Sequence, residues 1–241
     1  MTMDPVTVLK SSIEQPRKTA KNLRNEDREV ILCGEPEQCP RCHRSIEPIF
    51  IHATVMEGLN RSQVNWRCPS PKCQELFIAT YSSNFPNSYQ YDLTEIEPRK
   101  GQRKSWPDCI GILSPMFVTI YDQAIEAEAM KLDQLVGMGL RKALEFLITD
   151  YVASEHPTEK EKIYKPDLSL SQRINNYIKD AKIKDCAKRA VWLGNDETHV
   201  TRRWKALDIE HLKRLIRLTV NYIDSELTSK EYIASMPESK N

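Results

Sequence analysis

Two cysteine pairs constrain this chain more than any other feature: Cys39-Pro40-Arg41-Cys42 and, after 25 intervening residues, Cys68-Pro69-Ser70-Pro71-Lys72-Cys73. Two such knuckles, each on a turn between strands, bring four thiolates to one ion in a tetrahedron at about 2.3 Å. The flanking sequence suits this. Ile46–Ile51, Val64–Arg67, Glu75–Tyr81 and Tyr89–Leu93 are strand-length runs rich in aromatic and β-branched side chains. The second pair encloses four residues rather than the usual two, which a longer turn accommodates. The pattern predicts a zinc ribbon over 31–98, with Cys39, Cys42, Cys68 and Cys73 holding one Zn2+ per chain. Closed coordination by four sulfurs leaves no position for water, so the zinc is expected to be structural. Cys33 lies six residues before Cys39, and His43 directly follows a ligand and is expected to point elsewhere; neither is assigned to the metal.

Composition narrows the rest. With 40% hydrophobic and 29% charged residues and only 7 glycines, collagen and low-complexity disorder are excluded. No run approaches the roughly 20 apolar residues of a membrane-spanning helix, and Met1–Arg28 has no signal-peptide core. A cytoplasmic protein without membrane contact is expected. Its 7 cysteines, an odd number, then read as metal ligands and buried thiols rather than a disulfide framework. Lys plus Arg number 35 against 34 acidic residues, so bulk charge does not argue for a polyanion partner and only local patches can.

Residues 1–30 carry many charges and few large apolar groups, predicting a flexible or loosely docked arm. Residues 99–112, opening with Arg99, Lys100, Arg103 and Lys104, read as a basic linker. From 113 to 227 the apolar period becomes 3.6. Ser114-Pro115 marks a helix start, with Phe117, Ile120, Tyr121, Ala124 and Ala127 on one face. Val136, Leu140, Leu144, Leu147, Ile148 and Tyr151 form the buried stripe of a second helix capped by Asp133, with Arg141 and Glu145 opposite. Residues 155–167 read as a surface connection. Leu170, Ile174, Tyr177 and Ile178 mark a third helix. A fourth runs from Ile183 to Leu193 and is stopped by Gly194 as C′ residue. A last helix begins near Asp208 and buries Ile209, Leu212, Leu215, Ile216, Val220 and Ile223, and 228–241 is a tail. The fold class is thus α+β: a small N-terminal zinc-ribbon β domain followed by an all-α helical bundle.

Trp192-Leu193-Gly194-Asn195-Asp196-Glu197-Thr198-His199 falls where the chain must turn between helices. Gly194 and Asn195 can simply make the turn, with His199 on a backbone carbonyl. Alternatively, Asn195 and His199 form a polar pair able to hold a phosphate or a ribose hydroxyl. With Gly139–Glu145 and Leu170–Ile174, this motif resembles a bacterial helical family catalogued as domain of unknown function 4145, which frequently follows a zinc ribbon. That family is distantly similar to HEPN domains, helical bundles that commonly dimerise and, when active, cleave RNA without metal through an Arg, four to six residues, and a His. The resemblance spans about 113–227 and implies His199 and Asn195 as catalytic candidates in a defence or RNA-processing setting. No arginine stands in the required window before His199: it runs from Trp192 to Gly194, and Arg189 is nine residues off. Arg141, Glu145, Arg173 and Arg189 come from other helices and can supply binding or charge from a distance.

Arg202, Arg203, Lys205, Lys213, Arg214 and Arg217 make the start of the last helix basic, either as a nucleic-acid contact or as a solvated face. There is no phosphate-cradling glycine-rich loop, His-Glu-x-x-His or Gly-x-Ser-x-Gly. Three functions are expected in order: a homodimeric binder of RNA, DNA or a partner protein in bacterial defence or regulation; a metal-independent ribonuclease using His199; and a dimerisation scaffold.

Overall fold

The structure, a computed structural model, describes residues 17–85, 89–197 and 208–236. It divides into two units, 1–100 and 101–241.

The first unit is a closed six-stranded barrel of order β1-β2-β6-β5-β4-β3, built from β1 (Arg17–Lys21), β2 (Asp27–Cys33), β3 (Ile49–Met56), β4 (Arg61–Arg67), β5 (Leu76–Ser82) and β6 (Gln90–Glu97). Strands β3 to β6 form an antiparallel meander, and β1–β2 is a hairpin. The barrel closes through parallel β2–β6 and β1–β3 pairings. This is more sheet than a ribbon over 31–98 requires. In particular, the second half of the expected arm is not loose: Arg17–Lys21 and Asp27–Cys33 are barrel staves. Their inward residues are few, Ala20, Val30 and Leu32, and their charges face outward in cross-strand pairs such as Arg17–Glu29 and Lys21–Asp27. Asn22 makes the connecting turn, its Oδ1 accepting from the amides of Arg24 and Glu26, while Asn25 takes φ 62°.

Register stacks the barrel core in layers. Phe50, Trp66 and Phe77 are paired across β3–β4–β5, as are Ala53, Val64 and Ala79, then Val55, Ser62 and Tyr81. Small residues in the middle layer leave room for Trp66 above and Tyr81 below, the large–small alternation that fills a narrow barrel. Tyr81 donates to the Gly34 carbonyl at 3.0 Å, anchoring the segment that leads from β2 into the first knuckle.

The second unit contains seven helices among the described residues: α1 (Asp108–Leu113), α2 (Pro115–Ala129), α3 (Asp133–Glu155), α4 (Lys160–Ile163), α5 (Leu170–Tyr177), α6 (Ala181–Asp196) and α7 (Ile209–Ser235). The stripes expected on α2, α3 and α7 are the buried faces. Three boundaries and one cap differ from expectation. Residues 99–112 are not a bare linker: the Gly101 amide donates to Glu126 at 2.8 Å, and α1 buries Ile110 within the helical core. The connection 155–167 contains α4, whose Ile163 is fully buried. The expected tail from 228 continues α7 to Ser235. Ser114 is the N-cap residue of α2, but its hydroxyl donates to Asp150 at 2.5 Å instead of accepting from the helix.

Gly194 is the largest correction. It does not stop α6 but lies buried within it, where a Cβ would stand 2.9 Å from Cβ of Arg141 on α3. Glycine serves here for close helix approach rather than for a turn. Gly111 in α1 has nothing within 4 Å of such a Cβ. The same substitution should therefore have opposite signs. Gly194→Ala should destabilise the helical unit by about 1–3 kcal/mol, because the strain at Arg141 exceeds the gain in helix propensity. Gly111→Ala should stabilise it by about 0.5–1 kcal/mol. Denaturant unfolding followed by helical circular dichroism checks both.

Candidate metal centre

The β2–β3 connection carries the first knuckle and the β4–β5 connection the second, so both lie at one end of the barrel. All four sulfurs of Cys39, Cys42, Cys68 and Cys73 lie within 4.8 Å of one another. Cys39 Sγ is 3.9 Å from Cys73 Sγ, and Cys42 Sγ is 3.8 Å from Cys68 Sγ. Four sulfurs at 2.3 Å from one tetrahedral ion stand about 3.8 Å apart, so the donor set fits a single closed ion. Cys33 and His43 are not part of the group.

The two knuckles are built alike despite their different lengths. The first cysteine of each is buried and the second half-exposed. The Cys39 amide donates to the carbonyl of Arg44 and the Cys68 amide to that of Glu75, each closing its loop two residues beyond the second cysteine. His43 and Gln74, directly after the second cysteine, take left-handed φ of 57° and 54°. That reversal aims the next amide back at sulfur: the N–H groups of Arg44 and Glu75 bond Cys42 and Cys73, and that of Ser70 bonds Cys68. The extra residues of the longer knuckle are absorbed in a turn where the Cys73 and Gln74 amides both donate to the Ser70 carbonyl.

Sequence reasoning missed the ties between the knuckles. Arg44 of the first donates to Ser70 Oγ of the second at 3.0 Å, and Arg41 Nε donates to the Leu76 carbonyl at 2.8 Å. Their signal was an arginine inside and just after the Cys-x-x-Cys loop. Without an ion, burial above all pushes the Cys68 thiol up to about 12 and also raises Cys73. At Cys42 burial acts upward too, but the Arg44 amide and the other three thiols outweigh it and lower the thiol. Crowded, buried sulfurs of this kind need a cation to exist together as thiolates.

In the bundle, three helices bring four of the expected polar residues together. Arg141 on α3 donates from Nε to Asn195 Oδ1 on α6 at 2.6 Å and pairs with Glu145 at 3.3 Å. Arg173 on α5 reaches the other oxygen of Glu145 at 3.7 Å. Arg173 is buried and also donates to the carbonyls of Ile163 and Lys165 at 2.8 and 3.1 Å, holding down the segment after α4. Arg189 does not join them; it is exposed and bonds Asp185 in its own helix. His199, Arg202 and Arg203 lie outside the described residues. Lys213 is spent on Glu128 and Glu210. Among the described residues no helix is long and apolar enough to cross a membrane.

Comparison of the chain with known protein families, curated proteins and solved structures returns no match.

The left-handed residue after each knuckle gives a test of how the ion is held. A β-branched side chain is strained at positive φ, so Gln74→Val should weaken metal retention by about 1–2 kcal/mol, roughly 5- to 30-fold in a chelator competition. Gln74→Gly should stay within about threefold of wild type, since glycine meets no such penalty.

Proposed function

We propose that the four-cysteine centre holds one structural zinc ion and that the chain acts by recognition rather than catalysis. In this reading a zinc-stapled barrel and an HEPN-like helical bundle bind a nucleic acid or a partner protein, as a homodimer, in a bacterial defence or regulatory system. The zinc assignment is supported by an all-sulfur set of four donors within 4.8 Å of one another, the number and kind of ligand a closed tetrahedral zinc takes.

The observation that carries the non-catalytic reading is the state of the polar cluster. A ribonuclease of this kind needs a cation free to meet the transition-state phosphate. Here Arg141 is engaged by Asn195 and Glu145, and Arg173 by Glu145 and two backbone carbonyls. These are the contacts of a strut between α3, α5 and α6. A partner-binding role is supported by the outer barrel wall. There Ile49 and Leu76 flank Arg67 across three strands, and Ile51 and Ile78 continue the apolar row, all more than a third exposed.

One observation favours the ribonuclease reading in second place: Arg141 sits on Asn195, four residues before His199, so an arginine does approach the motif from another helix.

Metal analysis of purified protein should return about one zinc per chain, with loss in Cys68→Ser; iron or no metal would refute the assignment. RNA incubated with EDTA-treated protein should stay intact. EDTA-resistant cleavage lost in folded His199→Ala and Arg141→Ala proteins would promote the ribonuclease. Light scattering should give a dimer mass at tens of micromolar. Nucleic-acid affinity that falls steeply with salt would identify that ligand, because bound cations release counterions; salt-insensitive association would point to a protein partner.

A further inference from the structure

The outer barrel wall carries more than an apolar row. Cross-strand register fixes its layout: Ile49, Arg67 and Leu76 stand in one row across β3, β4 and β5, and Asn65, Ile78 and Glu97 in the next across β4, β5 and β6. These side chains face away from the core, while the alternate residues Trp66, Phe77 and Ala79 are buried. Ile51 joins them through the irregularity between Phe50 and His52, where it is the extra residue with no opposite on β4. Ile49, Ile51, Leu76 and Ile78 are 38–48% exposed on this one sheet face. A solvated face of an antiparallel sheet normally carries polar residues at such positions.

Two charges stand at the margins of this strip. Arg67 on β4 and Glu97 on β6 are exposed, and neither has an ion-pair partner among the described residues. Strand β5, with Leu76 and Ile78, runs between them. They lie two strands apart, about 10 Å across the sheet, and are offset by two residues, about 7 Å along it. The neighbouring charges are already spent: Arg99 pairs with Glu95, and Arg41 with Glu75 at 3.9 Å.

We propose that this wall is the interface between two copies of the chain, packed face to face about a two-fold axis that crosses β5 between Leu76 and Ile78. The proposal rests on the homodimer reading above and names its surface. A two-fold contact must be self-complementary. Such an axis exchanges the β4 and β6 sides, so Arg67 meets Glu97 of the partner subunit twice over while the aliphatic strips cover each other. Other occupants lack this match. A closed barrel offers no free edge to an added strand. A nucleic acid would meet one arginine among four aliphatic side chains, with Glu97 repelling its phosphates.

Light scattering and sedimentation of the full chain, over a concentration series reaching tens of micromolar, give the dissociation constant of the dimer. Leu76→Glu and Ile78→Glu should each raise it about tenfold or more, because the new carboxylate has no partner in the apolar strip. Arg67→Glu sets glutamates opposite each other, Glu97→Arg sets arginines opposite each other, and each should weaken the dimer about tenfold. The two reversals combined should return the constant to within about threefold of wild type. All these positions face outward, so thermal melting of each variant should match wild type, which separates dissociation from misfolding; if a strip variant melts early, the paired reversals still decide. A monomeric wild type would overturn the proposal together with the homodimer reading. A dimer unaffected by Leu76→Glu and Ile78→Glu would overturn this interface alone and leave that reading standing. Single reversals without effect, or a combination that restores nothing, would also overturn it, as would single-stranded RNA binding that is lost in Ile78→Glu.

Discussion

One geometric relation organises the knuckle end of the barrel: four sulfurs lie within 4.8 Å of one another, the spacing that a tetrahedral ion about 2.3 Å from each sulfur requires. Two connections 25 residues apart in sequence have to end side by side, and the antiparallel β3–β4 and β4–β5 pairings deliver them there. A divalent ion with four thiolates carries two net negative charges. Arg41 and Arg44 of the first knuckle bond the Leu76 carbonyl and Ser70 Oγ, so the mechanical tie across the two connections comes from these side chains. The amides of Arg44, Ser70 and Glu75 add N–H donors to the sulfurs.

How much of this was legible in the sequence follows from where free energy is concentrated. Cysteine spacing is a strong local signal because few other arrangements use it, and it located the centre. Long apolar stripes located α2, α3 and α7 because burial of one helix face needs a regular period. The hairpin β1–β2 was hidden because a stave facing inward only through Ala20, Val30 and Leu32 looks, residue by residue, like a charged arm. Its readable signal was the turn, Asn22 to Asn25, where one asparagine accepts two amides and another takes a left-handed conformation. The second half of the barrel's closure is parallel and non-local, which no window of sequence displays.

Gly194 shows a different limit. A glycine near the end of an apolar run has two common meanings, a C′ terminator and a point of close approach, and sequence alone favours the first. Only the position of Arg141 decides for the second. The consequence reaches the chemistry: because α6 continues through Asn195, that side chain is presented to α3 from a helix, and Arg141 can meet it. A turn at Gly194 would have sent Asn195 elsewhere.

The polar cluster that results is best understood through Arg173. A guanidinium buried this deeply must spend its donors on fixed acceptors, since an uncompensated buried charge costs several kcal/mol. Arg173 does so with the carbonyls of Ile163, which ends α4, and Lys165 just after it, and with Glu145, and Glu145 is shared in turn with Arg141. Each group satisfies the next, which makes the arrangement stiff and makes any one member hard to withdraw for another task. A catalytic cation has the opposite need: it must be held in place yet remain incompletely neutralised until charge develops on the substrate. Within one bundle, the arginines of α3 and α5 therefore satisfy a structural demand.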